Sequence, residues 1–365
     1  MNITFLIADQ QKVHEGVVRP FVNFSKALKQ KYEFSFLLLN CSSDFVERLR
    51  KSSFEVIVSK NRNEAIQALT NLNTNIIFTD DDLKRLKLAQ EINKKINAKT
   101  VSYLQVLYGS HSIVDCFDSN SLTLMEKVQF TLMKYVPFLF FRNRYVKSLR
   151  TFDLVIANSK VTATFLHTLY NIGVSAVIYP PIDTDVFQPN GQKTQKEITI
   201  YLGSHLGDTN HEIVRKVVAK VTENGYVANL FGNSRLVSQI IGECSKSVLY
   251  HSHLSDTELA QMYSRSKLTI CPQKWEQFGM VPVESLSCGT PVLAFNCMGF
   301  QETISQTNGW LANNDDEFLQ KLHEALEGEQ KPPQELRNAV INKFSIDASG
   351  KALEKLLEKY INQKA

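Results

Sequence analysis

Two carboxylates eight positions apart, Glu276 and Glu284, flank a Phe278-Gly279 turn in the stretch CPQKWEQFGMVPVESLSCGTPVLAFNCMGF, which runs from Cys271 to Phe300. The spacing puts the first in a loop and the second just inside a short helix. Pro282 suits the first helical turn, where its missing N–H would have had no partner, and Gly289 falls where a left-handed helix end needs a residue without Cβ. The apolar run Thr290–Phe295 that follows is short enough for a buried strand. A helix N-terminus offers unpaired N–H groups and a partial positive charge, so it binds phosphate, and Gly279 lets a ligand approach the backbone. Glu284, in the first turn, can accept hydrogen bonds from hydroxyls such as those of a ribose, and Glu276 faces the same opening. Two glutamates by themselves would read as a capping carboxylate and a solvated loop carboxylate; the whole string carries the chemistry.

That string resembles the Glu, seven residues, Glu signature of retaining glycosyltransferases of the GT-B fold, glycosyltransferase family 4 in particular. The likeness includes Phe278-Gly279 after the first glutamate, Pro282 before the second, and the Cys-Gly-Thr-Pro-Val of 288–292. The resemblance implies an α/β chain of two Rossmann-like doubly wound parallel-sheet domains facing across a cleft. It implies a nucleotide-sugar donor, a hydroxyl acceptor, retention at the anomeric carbon, and neither an essential metal nor a cofactor. Glu276 would then be the catalytic carboxylate that holds the sugar hydroxyls, and Glu284 would hold the ribose. Phe278, Gly279, Met280 and Val281, with the helix N-terminus, would stabilise the diphosphate as its bond to the sugar lengthens. The departing diphosphate oxygen would take the acceptor's proton.

The elements around this stretch fit such a frame. Asn2–Ala8, Phe34–Leu39, Phe54–Val58, Asn75–Thr79 and Thr100–Val106 read as strands, alternating with helices at Val17–Lys31 and Leu83–Asn97. Alternation of this kind means a parallel sheet covered on both faces, with ligand sites at the carboxyl ends of its strands. Gly16 sits in the polar loop after the first strand, where the resembled family has a glycine-containing loop facing acceptor and diphosphate. His111, in the loop after Val106, is a candidate for the histidine that supports the sugar in family members, although strand counting puts that position nearer Gln105. Ser159 reads as the N-cap of a helix over Lys160–Tyr170. Prolines at 180, 181 and 189 stiffen the connection to a second Rossmann-like unit that begins at Glu197–Gly203. The expected division is 1–185 for the acceptor-side domain, 190–345 for the donor domain, and 346–365 for a last helix crossing back onto the first.

Many family members follow the glycine matched by Gly203 with an Arg and then a Lys that reach the diphosphate. Here Ser204 and its successors through Asn210 supply neither, so Lys274 and Arg235 are the candidates to replace them. A chain lacking that clamp is alternatively a catalytically weak or inactive GT-B scaffold, or a transferase with an unusual donor. His251 and His253 alternate on a strand without a third ligand and read as non-metal.

The chain has 365 residues, enough for two domains, and its 43% hydrophobic and 21% charged composition is that of a globular protein. No apolar run is long enough to span a membrane, and the first residues read as a strand rather than a leader. The six cysteines are scattered and read as reduced packing thiols, which sets the protein in the cytoplasm. The net charge of +4 is uneven: residues 1–186 hold 23 Lys+Arg against 17 Asp+Glu, and the remainder 18 against 20. Much of that excess lies in Lys127–Arg150, which has six Lys+Arg, no acid and interleaved aromatics such as Phe138 and Tyr145. This pattern suits a helix lying on the anionic inner face of a membrane, broken or kinked at Pro137; its rival is a basic helix whose apolar side packs on the sheet. Nucleic acid is not the expected partner. The expected substrates are a nucleotide sugar and a glycan or lipid-linked acceptor.

Overall fold

A computed structural model describes residues 1–8, 15–39, 46–47, 49–50, 54–105, 124–125, 128, 137–190, 194, 196–203, 209, 211–234, 236–237, 246–329 and 331–362. The chain divides into two compact units. The first draws on Met1–Ser110, Tyr135–Pro181 and Ser349–Ala365; Ile182–Ala348 is the body of the second.

The first unit runs β1 (Asn2–Ala8), α1 (Glu15–Leu28), β2 (Glu33–Leu39), β3 (Glu55–Ser59), α2 (Arg62–Asn71), β4 (Ile76–Thr79), α3 (Leu83–Ile96), β5 (Lys99–Leu104), α4 (Pro137–Leu149), β6 (Leu154–Ala157), α5 (Lys160–Tyr170) and β7 (Ala176–Val177). Its strands pair in the order β3-β2-β1-β4-β5-β6-β7, all parallel. A parallel sheet is covered on both faces, so its strands need apolar residues at successive positions. Thus Phe5 packs with Phe21 and Phe24 of α1, while the next residue, Leu6, joins Leu86 and Ala89 of α3.

In the second unit come β8 (Glu197–Tyr201), α6 (His211–Glu223), β9 (Val227–Phe231), β10 (Val248–His251), α7 (Asp256–Arg265), β11 (Leu268–Cys271), α8 (Met280–Ser287), β12 (Val292–Phe295), α9 (Phe300–Thr303), β13 (Gly309–Ala312), α10 (Asp315–Glu327) and α11 (Pro333–Phe344). The sheet order is β10-β9-β8-β11-β12-β13, again parallel. In each sheet the order reverses beside the first strand, between β1 and β4 and between β8 and β11. Ligands of such sheets bind outside the carboxyl ends at that reversal.

Local signals behave as the sequence suggests at several ends. The Ser159 hydroxyl accepts the Thr162 N–H at 3.0 Å to cap α5. Gly289 takes φ +77° after α8, and a Cβ there would also stand 2.5 Å from the Cβ of Pro333. Two expectations are corrected. Helix α1 starts at Glu15, so Gly16 belongs to its first turn and not to the loop before it. Of the basic stretch Lys127–Arg150, the described helix is α4, which opens on Pro137, a residue suited to the first helical position. Tyr145 and Leu149 of α4 are buried in the sheet core, so these side chains serve packing and not an acyl boundary. Among the described residues no helix is long and apolar enough to cross a membrane.

The last helix, α12 (Ile346–Asn362), supplies Leu353 and Leu357 to the core that α1 lines. The Tyr360 hydroxyl donates to Asp153, whose other oxygen accepts the Thr100 N–H at 2.9 Å and the Thr100 hydroxyl at 3.0 Å. Burial alone would raise the Asp153 carboxyl, but the hydrogen bonds from Tyr360 and Thr100 outweigh it and hold the group below its usual value. A depressed carboxyl stabilises the fold above its unfolded pKa of about 4, and the contribution fades as pH falls through the folded value. Tyr360→Phe is therefore expected to lower stability at neutral pH, with the gap from wild type narrowing in acid. Urea unfolding at both pH values checks this; a gap independent of pH would rule out the Asp153 link.

Candidate active site

Strand β11 ends at Cys271, flanked by β8 and β12, and the chain leaves the sheet through Gln273, Lys274 and Trp275 to Glu276. Gln273 joins the ends of the two central strands. Its Nε2 donates to the Tyr201 carbonyl at 2.7 Å and to Thr209 Oγ1 at 3.3 Å, and Thr209 in turn donates to the Leu202 carbonyl at 3.2 Å. Gly203 follows with φ +77°, its carbonyl accepting the Asn233 N–H at 3.0 Å. A Cβ on Gly232 would lie 2.6 Å from that same oxygen, so the ends of β8 and β9 meet backbone to backbone.

Glu276 is half-buried, and its Oε1 accepts the Phe278 N–H at 3.3 Å. Its own carbonyl accepts the Gly299 N–H at 2.9 Å, which fixes the loop from behind. Phe278 is buried edge-on against Phe344, with ring centroids 5.4 Å apart. Gly279 then enters α8 at φ +91°, in a conformation that suits glycine, and no side chain caps the helix. The N-terminal turn thus has N–H groups left for a ligand, beside the half-buried Met280 and Val281.

Glu284 is the fifth residue of α8 and lies deeper than Glu276. It is 2% exposed, and its Oε2 accepts the Tyr263 hydroxyl at 3.3 Å. The two carboxylates share a neighbour in Cys271: burial first, then the charges of Glu276 and Glu284, push its thiol well above the ordinary value. The C-terminal end of α8 is clamped by Arg337, which donates to the Ser287 carbonyl at 3.0 Å, the Phe187 carbonyl at 2.9 Å and the Thr184 carbonyl at 2.9 Å.

The structure therefore sets Glu276, Phe278, Gly279, Met280 and Val281 one after another beyond the carboxyl end of β11, with Glu284 buried deeper in α8 and Gly203 just past the end of the adjoining β8. Lys274 is turned elsewhere. Its ammonium meets Asp315 at 2.7 Å and lies 4.8 Å from the centre of the Phe295 ring. Gly16 belongs to the first unit, where Gln105, at the end of β5, donates to the Val17 carbonyl at 2.8 Å. Ser204, His111 and Arg235 lie outside the described residues.

Several residues at these strand ends carry no motif. Gln273 is an example, and so is Asp80 after β4, 3% exposed and held by Arg85 at 2.6 Å. The one available signal for Gln273 and Asp80 is position, since each follows a strand at the reversal of strand order.

Two doubly wound parallel sheets in one chain, with this site beyond β11, define the GT-B fold. Solved structures agree over nearly the whole length. A glycosyltransferase from Rickettsia africae superposes with a TM-score of 0.73 at 17% identity, covering 99% of this chain and 98% of that one. Alr3699/HepE from Anabaena, solved in complex with UDP-glucose, gives 0.73 at 16% identity over 98% of this chain and 100% of that one. Residues 183–359 match the model of the family described as glycosyl transferases group 1. A D-inositol 3-phosphate glycosyltransferase from Nocardiopsis dassonvillei is 26% identical over 204 residues, 48% of this chain and 48% of its own length. A 41.2 kDa protein of the cps region of Klebsiella pneumoniae is 28% identical over 131 residues, 35% of this chain and 36% of its own length. The chain thus spans half or less of the length of these curated relatives.

Proposed function

We propose that the chain is a retaining, metal-independent glycosyltransferase that moves a sugar from a nucleotide-sugar donor to a hydroxyl of a glycan, glycolipid or lipid-linked acceptor. The reading rests above all on Glu276, a carboxylate held by the Phe278 N–H at the carboxyl end of β11, next to a helix N-terminus that no side chain caps. The UDP-glucose bound by the Anabaena protein supports a nucleoside diphosphate as the leaving group. In this reading the N–H groups of α8 take up charge on the diphosphate as its bond to the sugar lengthens. Glu276 holds the sugar hydroxyls, and Glu284, steadied by Tyr263, receives the ribose. The leaving oxygen accepts the acceptor's proton, so neither cofactor nor separate base is needed. Lys274 reaches the diphosphate by exchanging Asp315 for it. The location that goes with this reading is the cytoplasm, at the inner face of the membrane.

The existing commitment of Lys274 to Asp315 favours a second reading, a GT-B protein that binds a nucleotide without turning it over. A thermal-shift screen across nucleoside diphosphates, paired with hydrolysis of the matching sugar nucleotides, tests both. The right nucleotide at a hundred times its dissociation constant is expected to add about 2.7 kcal/mol of stability. A shift with turnover supports the enzyme, a shift without it supports the second reading, and a flat response to every nucleotide defeats both.

A further inference from the structure

A cavity of about 440 Å³ lies between α3 and α4 in the first unit, ringed by Lys87, Lys94, Arg144 and Lys147. Thr100, near the start of β5, and Thr151, just before β6, also line it. The cavity is therefore at the amino ends of these strands, the opposite end of the sheet from Gly16, Asp80 and Gln105. Helices α3 and α4 are fixed beside each other. Leu86, Ala89 and Ile92 share a core with Tyr145 and Leu149, and the Gln90 amide donates to the Ser148 carbonyl at 2.7 Å.

Their outer sides consequently meet with like charge. Helix α4 has no acid, and Glu91, the one acid of α3, is drawn to Arg62 at 3.1 Å. Among the described residues no carboxylate lines the cavity, and Lys87, Lys94 and Lys147 have no ion-pair partner. Lys94 and Lys147 stand in the last turns of their helices, where a cation suits the dipole. The dipole accounts for neither Lys87 nor Arg144, nor for the convergence of all four on one hollow. Ammonium groups crowded in this way repel one another until an anion joins them, and a phosphate offers oxygens to several of them together.

We propose that this cavity is a phosphate-binding site separate from the one beyond β11, and that its ligand is the phosphate of an anionic phospholipid headgroup. Free phosphate shares the chemistry, but the exposed lysines lie where a headgroup carried on a surface meets them, and the volume exceeds what one phosphate fills. The site does not depend on the transfer reading.

The test uses the full chain with the triple variant Lys87→Gln, Lys94→Gln, Lys147→Gln. Its control, Lys29→Gln, Lys196→Gln, Lys246→Gln, removes the same charge at exposed positions that do not line the cavity. Each lysine near an anionic surface is worth about fivefold in partitioning, so the triple variant is expected to cosediment about a hundredfold less with phosphatidylglycerol-containing vesicles. The control should retain most of its binding, and pure phosphatidylcholine should bind neither. If inorganic phosphate raises the melting temperature of wild type but not of the triple variant, while vesicles bind neither, the cavity is a site for free phosphate and the lipid assignment is overturned. If the triple variant and the control respond alike to vesicles and to phosphate, the cavity is no site at all.

Discussion

Glu276→Ala is expected to lower sugar transfer or donor hydrolysis by about a thousandfold, the size seen when one preorganised polar group at a reacting centre is removed. Stability should stay within about 0.5 kcal/mol of wild type, as for other substitutions outside the core. The two expectations separate because the loop has anchors other than the carboxylate. The bond from Glu276 Oε1 to the Phe278 N–H is long at 3.3 Å, whereas the bond that anchors this loop, from the Gly299 N–H to the Glu276 carbonyl at 2.9 Å, belongs to the backbone. Phe278 is kept in place by burial against Phe344. Glu276→Gln retains an acceptor for Phe278 and for sugar hydroxyls but loses the charge, so it should fall between wild type and alanine. Turnover measured with urea unfolding on the same preparations decides the matter. Equal turnover in wild type and Glu276→Ala would remove this carboxylate from the chemistry, whatever else binds there.

What could be read from the sequence was local. Apolar runs marked β1, β2, β4, β8 and β12 because a parallel sheet buries both faces, and Ser159 and Gly289 marked helix ends because caps and left-handed turns need particular residues. The loop of Glu276 and the helix after it were legible for the same reason. Contacts between distant segments were not. Nothing in Lys274 announces that Asp315 will occupy its ammonium, and the tie from Gln273 to Thr209 spans 64 positions. Tyr145 looked like an interfacial aromatic because charge and aromatic content are visible in a sequence, while the side of a helix that meets the sheet is decided by what the sheet leaves open. The buried Asp80–Arg85 pair was hidden by its own cap: a run of aspartates ahead of a helix reads as capping, which only Asp82 performs.

Gly299 is the clearest case of a role that spacing conceals, and Gly299→Ala is expected to cost about 3 kcal/mol, at the upper end of what overpacking usually does. The backbone there has φ −66°, which alanine adopts readily, so conformational freedom is not the reason for glycine. The reason is contact. An added Cβ would stand 2.5 Å from both the Cα and the N of Phe278 and 2.6 Å from the carbonyl carbon of Gln277. All three are backbone atoms, so no change of rotamer relieves the clash and the segment 277–278 must move. That segment links Glu276 to Gly279, and its displacement should lower turnover as well as stability. If the activity loss comes through Glu276, the double variant with Glu276→Ala should be no slower than Glu276→Ala alone, a non-additivity that a general loss of folded protein would not produce. Urea unfolding of the single variant together with turnover of both variants makes the comparison. Near-wild-type stability and activity in Gly299→Ala would mean that the loop yields freely, and that Glu276 is not held in place by its contact with residue 299.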